Sequence, residues 1–445
     1  MKKIKAPGKG LSSFQIIIGG FAAVILLGAL LLMLPIASRE GVVTPFNQTL
    51  FTATSACCVT GLVLLDTASH WSWFGQIIII TLIQIGGLGV ISVASFMMMV
   101  SGKKISLMTR QTAQNAISAP HIGGIVKLTR FIFITTFSVE ILGGLAMLPV
   151  FIKEFGARGI WKSFFHSVSA FCNAGFDLMG DKSGKFSSLT YFSDNGYITF
   201  VICFLLVFGG IGFLTWEDLF FKRFKFKEYK MQSKVILITS LVLFIIPAVL
   251  YFIFDFKDFP LKERICVSIF QSLTPRTAGF NTADLAAMTG PGKVVMMILM
   301  LIGGAPGSTA GGMKVTTVAV LFANAKAVFS RRKSAHFFER RIEDSTIKNA
   351  ATILFLYMFM AITGALVISM IEGLPLEACF FETMSAAGTA GLTVGITSGL
   401  SLASQIILIV LMFFGRVGGL TLIYAAFVPK ELYESKYPVE NITVG

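Results

Sequence analysis

Apolar residues in this sequence form long unbroken runs, not the short periodic stripes that are typical of a soluble core. A helix needs roughly 20 consecutive apolar residues to cross the hydrocarbon of a bilayer. Eight runs are long enough, so we predict eight transmembrane helices. They cover residues 14–36, 73–100, 128–152, 197–216, 235–254, 293–325, 347–371 and 402–428.

The segments that link the two runs of each successive pair share one pattern. Each ends in Thr or Ala, then Gly, then Leu or Phe, and the glycines are 114, 104 and 112 residues apart. This period suits a repeated unit of two spans. The segments are LFTATSACCVTGL from Leu50, FFHSVSAFCNAGF from Phe164, SIFQSLTPRTAGF from Ser268 and FFETMSAAGTAGL from Phe380.

We therefore predict an all-α membrane protein with four repeats, each a span, a re-entrant half-helix, a glycine turn and a second span. Every unit crosses the membrane twice, so successive units keep one orientation and can surround a central pore, as in a potassium channel. Inverted repeats would instead favour a carrier. The predicted repeats are 1–112, 113–227, 228–337 and 338–445, with a short cytoplasmic tail in the last.

The glycine turns are the predicted ion-binding site. The apolar half before each glycine is too short to cross, and irregular backbone at membrane depth is tolerated where it lines water. Rings of backbone carbonyls replace the hydration shell of potassium, and the negative ends of the half-helices favour a cation. The predicted filter residues are Val59, Thr60, Gly61, Asn173, Ala174, Gly175, Thr277, Ala278, Gly279, Thr389, Ala390 and Gly391.

The second span of each repeat carries a glycine cluster, and in the third repeat this cluster expands into GGAPGSTAGG. Five glycines and a proline in ten residues cannot hold a helix. We predict a flexible loop that obstructs the pore; a plain kink packed against neighbouring helices is the alternative. The predicted gate comprises Gly303, Gly304, Ala305, Pro306, Gly307, Ser308, Thr309, Ala310, Gly311, Gly312 and Arg416.

Two charged residues lie inside apolar runs. Arg416 is expected to face the pore, where it repels cations or holds the loop by donating to its carbonyls, because an intramembrane charge is functional by default. Glu140 is the second such charge, and the sequence indicates no partner for it. Lys314, just after the loop, is expected to be an anchor on the cytoplasmic side.

Charge indicates how the chain is oriented. The net charge is +14, and segments 1–13, 101–127, 217–234, 326–348 and 429–445 carry 23 Lys/Arg against 9 Asp/Glu. This is the positive-inside asymmetry, which places both termini in the cytoplasm of a cell whose cytoplasmic membrane the chain spans. No aromatic-interleaved basic motif indicates nucleic acid. Neither HExxH, a Cys/His metal site nor a phosphate-binding loop is present, so we predict no enzyme activity.

The four motifs and the broken third-repeat span resemble the Trk/Ktr/HKT superfamily of potassium transporters over essentially the whole chain. In that family four filter glycines go with potassium permeation, and serine at the first position goes with sodium. With no extra helices before the first repeat, the chain is more similar to the KtrB type, the membrane subunits of bacterial Ktr systems, than to the longer TrkH type.

The resemblance implies a homodimer with one pore per protomer, a cytosolic KtrA-type ring with nucleotide-binding domains as partner, and contacts with membrane lipids. It implies potassium as substrate, sodium as an activator, nucleotide bound only by the partner and no covalent cofactor. A sodium-selective relative or a secondary cation carrier remains the alternative.

Overall fold

The computed structural model describes residues 12–101, 106–117, 123–223, 225–426, 438 and 440. This part of the chain is almost entirely helical, as predicted. Its one sheet is a small hairpin that the sequence did not predict, in which His336–Phe337 pairs with Arg340–Arg341. Residues 1–11 and most of 427–445 lie outside the described residues, so the cytoplasmic placement of the termini stays a prediction.

Each repeat begins with a long apolar helix. These four outer helices are individually long and apolar enough to cross a membrane, and they match the first predicted run of each repeat. Large apolar side chains such as Leu142 and Met370 are exposed on them, which suits a surface in contact with hydrocarbon. Outer helices 1 to 4 are Ser13–Leu32, Ile125–Phe155, Met231–Asp255 and Asp344–Glu372.

A short helix ends just before each predicted filter glycine. Three of these half-helices start directly after a proline. Proline suits a helix start because it has no backbone N–H, and an N–H at that position would have no partner within the helix. At 12 to 14 residues they span about 20 Å, less than the hydrocarbon thickness, as predicted for re-entrant segments. Half-helices 1 to 4 are Phe46–Cys57, Arg158–Phe171, Leu261–Leu273 and Leu376–Gly388.

The second span is broken in all four repeats, whereas we predicted an interruption only in the third. Continuous helices over 73–100, 197–216 and 402–428 are therefore wrong. Repeats 1 and 2 bend by 96° and 102°. The cause is a glycine with positive φ at each break (Gly89, Gly212 and Gly418), a conformation that glycine adopts without a steric penalty.

The helices before these breaks are inner helices 1 to 4, and short helices follow the breaks. If each bent pair counts as one span, up to six helices among the described residues are long and apolar enough to cross a membrane. The total of eight transmembrane helices stays a prediction. Inner helices 1 to 4 are Trp73–Leu88, Gly196–Gly210, Gly290–Leu301 and Leu402–Val417. The helices that follow them are Val90–Val100, Phe213–Phe221, Val315–Phe329 and Gly419–Ala426.

The four repeats close into a ring. Within each repeat the outer helix packs against its own half-helix. Each inner helix also contacts the half-helix of the next repeat, and inner helix 4 contacts half-helix 1. The half-helices are thereby held around one central axis. The predicted repeat boundaries stay predictions; that between 112 and 113 falls inside the helix Leu107–Ile117.

Candidate functional site at the glycine ring

The glycines Gly61, Gly175, Gly279 and Gly391, here called the glycine ring, meet at the centre of the closed assembly. A methyl group added to Gly175 would lie 2.5 Å from the Cα of Gly279, and one added to Gly391 would lie 3.0 Å from the same atom. Real side-chain carbons do not approach this closely. No residue larger than glycine therefore fits at these positions without moving the backbone.

Carbonyl oxygens of the preceding residues face this ring from other repeats. A Cβ atom added to any ring glycine would meet such an oxygen, so backbone acceptors line the centre. The contacts that an added methyl group would make are Gly61 with the oxygen of Ala174 (2.7 Å), Gly175 with that of Ala278 (2.9 Å), Gly279 with those of Ala390 and Thr60 (both 3.2 Å), and Gly391 with that of Thr60.

The residue two positions before each ring glycine has a left-handed backbone. The φ angles are 57° for Val59, 59° for Asn173, 70° for Thr277 and 51° for Thr389. Three of these four residues are β-branched, for which positive φ is a genuine outlier. Such strain persists only where the surroundings over-determine it, and it clusters at functional sites.

Hydrogen bonds hold each turn to the end of its half-helix. In three repeats the N–H of the residue before the ring glycine donates to the serine carbonyl five positions earlier: Thr60 to Ser55 (2.8 Å), Ala174 to Ser169 (2.8 Å) and Ala390 to Ser385 (2.7 Å). The third repeat differs, because Ala278 donates to Thr274 at 2.9 Å. The structure thus brings all twelve predicted filter residues to one place.

A cavity of about 150 Å³ opens on one side of the ring. Its wall includes all four ring glycines together with Asp66, Asp177, Asn281 and Thr393. Three of these polar side chains lie two residues after a ring glycine. Carboxylate, amide and hydroxyl oxygens therefore surround the approach to the carbonyls.

The predicted gate residues 303–312, here called the glycine-rich loop, cross the assembly on the other side of the ring. A methyl group on Gly311 would collide with the Thr389 side chain, so the loop lies against a turn of the ring. Backbone bonds tie it to inner helices 2 and 4 and to the helix that follows inner helix 2. These bonds run from Ala305 N–H to Gly210 (2.9 Å), Thr309 N–H to Gly209 (3.3 Å), Gly312 N–H to Gly415 (3.1 Å) and Phe213 N–H to Gly307 of the loop (2.6 Å).

Arg416 reaches the loop from repeat 4. Its guanidinium donates to the carbonyl of Thr309 in the loop, and to the carbonyls of Gly86 and Gly87 at the end of inner helix 1, the last at 3.0 Å. The sequence offered two roles for this side chain, and the geometry is that of the second, holding the loop by donation to a carbonyl.

Lys314, which we expect to be an anchor on the cytoplasmic side, also binds the loop. Its ammonium turns back and donates to the carbonyls of Ala310 at 2.8 Å and Gly311 at 3.2 Å. Lys314 and Arg416 both line a cavity of about 290 Å³ on this side of the loop. Two cationic side chains therefore bind the loop and border the same cavity.

The glycine clusters of the other repeats have a packing role that the sequence did not indicate. A methyl group on Gly86, Gly209 or Gly415 would overlap the carbonyl at the end of the half-helix of its own repeat. Glycine is required because the inner helix lies directly against that half-helix. Packing thus accounts for the glycine clusters in repeats 1, 2 and 4.

Glu140 has partners that sequence reasoning missed. Gln84 of inner helix 1 donates to its carboxylate at 3.3 Å, and the Cys172 thiol lies 3.8 Å from the other oxygen. Cys172 directly precedes Asn173 of the ring turn in repeat 2. Glu140 therefore contacts the residue at which that turn begins. These residues are far apart in sequence, so no local pattern could have paired them.

Comparison with known proteins gives concordant matches. A family model described as TrkH, cation transport protein, matches residues 3–436. The Potassium/sodium uptake protein NtpJ of Enterococcus hirae is 40% identical, with 98% of each chain covered. The Ktr system potassium uptake protein B of Bacillus subtilis is 36% identical over 97% of this chain and 96% of its own.

A solved structure shares the fold. The potassium transporter TrkH from Vibrio parahaemolyticus superposes with a TM-score of 0.74 at 18% sequence identity, covering 96% of this chain and 87% of the other.

Proposed function

This chain belongs to the TrkH/Ktr family of cation transport proteins, and from that premise we propose that it takes up potassium ions across the cytoplasmic membrane through the glycine ring. Transport and not enzyme catalysis is the activity of its relatives. One observation carries the proposal: four carbonyl oxygens, one from each repeat, face the place where the ring glycines meet.

In this mechanism a potassium ion exchanges hydration water for the carbonyls of Thr60, Ala174, Ala278 and Ala390. Potassium channels use such rings. The half-helices add to the attraction, because their C-terminal ends carry partial negative charge and end at the ring. Glycine leaves the axis open, and the strained turns keep the oxygens aimed at it. The other eight predicted filter residues shape the turns and supply further carbonyls.

The glycine-rich loop is the proposed gate. Its backbone lies next to the ring, across the route that an ion takes towards the second cavity. Arg416 and Lys314 hold it there with charged donors and place two positive charges beside that route. Transport then requires these bonds to break or rearrange so that the loop moves aside.

Regulation by a cytosolic partner and dependence on sodium are further parts of the proposal. The names of the relatives support them, since the Bacillus protein is a component of a "Ktr system" and the Enterococcus protein is a "Potassium/sodium uptake protein". We propose a homodimer that binds a cytosolic KtrA-type ring, with nucleotide bound by the ring. A sodium-selective pore is the competing function, since the name of the Enterococcus relative includes sodium as well as potassium.

Ion flux into liposomes that contain the purified chain tests the function. We expect potassium uptake to exceed sodium uptake when each ion is offered alone, and sodium at low concentration to raise potassium uptake. Adding the cytosolic ring with nucleotide should change the rate without changing this preference. Equal or higher sodium uptake would favour the competing sodium-selective function.

A further inference from the structure

A cavity of about 410 Å³ lies between inner helix 2 and outer helix 3, away from both cavities described above. Its mouth is formed by exposed side chains, among them Phe200 (70% exposed) and Leu241 (55% exposed). In a membrane these residues face hydrocarbon, so the cavity opens to the lipid. Its lining is almost wholly apolar, and its volume is in the range of about 300–1,000 Å³ that is usual for small-molecule sites.

One charged side chain lies in this apolar cavity. The Arg276 guanidinium donates to the hydroxyl of Ser240 at 3.0 Å and to its carbonyl at 3.4 Å. Its Nε–H has no partner among the described residues, and no carboxylate in the described part of the chain forms an ion pair with it. An arginine at membrane depth is costly without a counter-ion. Arg276 therefore gives an anion in the cavity a positive charge that no described carboxylate neutralises.

We propose that this cavity binds a long-chain fatty acid, with its carboxylate on Arg276 and its chain leaving between Phe200 and Leu241 into the bilayer. The apolar lining accepts the first part of the chain, and the lipid accepts the rest. Pairing offsets the cost of burying both charges, since the carboxylate is an ideal acceptor for a guanidinium. A fatty acid dissolved in the bilayer reaches the mouth by lateral diffusion, because the cavity opens to the lipid.

The bound molecule would touch both the ring and the loop. The cavity wall includes Asn173 of the repeat 2 turn, Gly210 of inner helix 2 and Gly304 of the glycine-rich loop. Gly210 accepts the bond that fixes Ala305 of the glycine-rich loop. A ligand that fits this arrangement favours it over arrangements that lack the cavity. Binding should therefore keep the loop in place and lower ion flux, a consequence that rests on the proposed function.

Photolabelling tests the site without using transport. The protein is placed in nanodiscs of phosphatidylcholine and labelled with a photoactivatable palmitic acid, a photoactivatable alcohol of equal chain length, or a photoactivatable phosphatidylglycerol. We expect the acid alone to label peptides of inner helix 2 and outer helix 3, in competition with unlabelled palmitate. Arg276→Gln should lower this labelling about tenfold, and Arg276→Lys should retain part of it.

A cavity-filling variant provides an independent arm. Cys203 lines the cavity, so Cys203→Phe should abolish labelling, whereas Val249→Phe on the lipid-facing side of outer helix 3 should leave it unchanged. Equal labelling by the alcohol, or full labelling of Arg276→Gln, would show that the guanidinium does not bind the carboxylate. Either result would leave Arg276 with only a structural role near the end of half-helix 3 and would overturn the proposal. Labelling by phosphatidylglycerol alone would overturn it in favour of a phospholipid site.

Flux measurements separate the site from its effect. Palmitate should lower potassium flux of the original chain in liposomes and leave flux of Cys203→Phe unaffected. Labelling without any change in flux would overturn the coupling to the loop while the site stands. Absence of potassium flux under every condition would instead contradict the proposed function, and the labelling result would remain interpretable.

Discussion

Arg416 donates a hydrogen bond to the backbone carbonyl of Thr309, joining two residues that are 107 positions apart. The same guanidinium donates to Gly86 and Gly87 in repeat 1. One side chain of repeat 4 thus connects the loop of repeat 3 with the broken inner helix of repeat 1. The loop cannot move away from the ring while these bonds are intact.

Replacing Arg416 by alanine should therefore raise potassium flux and reduce its dependence on the cytosolic partner. The variant leaves three carbonyls without their charged donor, which should lower the free energy of unfolding by about 2–4 kcal/mol. Liposome flux and thermal unfolding in detergent measure the two effects. Arg416→Lys, which keeps the charge but cannot reach three carbonyls together, should be intermediate. Flux that stays at the original level in a folded Arg416→Ala protein would contradict the tether.

Shortening the glycine-rich loop should raise flux more strongly than Arg416→Ala does. The chain on either side of the loop already runs together, since Gly303 N–H donates to Met313 at 2.7 Å and Val315 N–H donates to Gly304 at 3.1 Å. Deletion of residues 305–312 can therefore be closed with little rearrangement. Each 1.4 kcal/mol removed from the barrier gives about tenfold more flux, and we expect at least that.

Size-exclusion profiles and liposome flux measured together decide the loop experiment. A deletion variant that elutes as the original protein and carries the same or less flux would mean that the loop is a packing kink and that the gate lies elsewhere. A variant with higher flux and less response to the cytosolic ring supports the gate.

The sequence predicted the glycine ring well because the information is local and repeated four times. A short apolar half followed by Ala-Gly or Thr-Gly needs no distant partner to be recognised. Arg416 was found for a similar reason, since a charge within an apolar run stands out. The role of Glu140 and the cavity at Arg276 depend on contacts between repeats. The hydrogen bonds of Lys314 depend on how the glycine-rich loop folds back towards it. The breaks at Gly89, Gly212 and Gly418 were missed because glycine is also tolerated inside an apolar helix, where it allows close packing.

Lys314 is expected to hold the loop in addition to Arg416. Lys314→Met keeps the length of the side chain but removes the donor to the carbonyls of Ala310 and Gly311, so flux should rise, though less than in Arg416→Ala. The double variant should show more than the summed effect, because both cations hold one segment. Lys293→Met, outside the loop and at the start of inner helix 3, is the control. An unchanged flux in Lys314→Met would mean that Lys314 does not help to hold the loop and leave it only as the expected anchor on the cytoplasmic side.

Two predicted cytoplasmic loops form a joint basic face. Lys234 lies over the rings of Phe226 (5.8 Å) and Phe338 (5.6 Å), which brings 217–234 against 326–348. We expect this face to bind the cytosolic ring, with attraction to anionic lipids as the alternative. The triple reversal Lys225→Glu, Lys227→Glu and Arg340→Glu should weaken complex formation, most at low salt. Reversal of Lys257 and Lys262, which are exposed elsewhere, is the control.

Co-purification with the ring in detergent, where no bilayer is present, separates the two readings. If the triple variant still binds the ring normally but partitions less into anionic vesicles, the face serves lipid and the partner binds elsewhere.

The ring glycines should set the preference for potassium over sodium. A serine at Gly391 places its Cβ on the carbonyl oxygen of Thr60, and a serine at Gly61 places it near that of Ala174. At least one carbonyl must turn from the axis, and positive φ at both glycines adds backbone strain. Loss of one of a few potassium ligands should lower the potassium-to-sodium uptake ratio about tenfold, equivalent to 1.4 kcal/mol.

Gly399→Ser is the matched control, because that glycine lies in the loop after the repeat 4 turn with open space around it. Competitive uptake of the two ions into liposomes gives the ratio for all four ring variants. If every folded variant keeps the original ratio, the ring does not select the ion, and the carbonyls that face it are only structural.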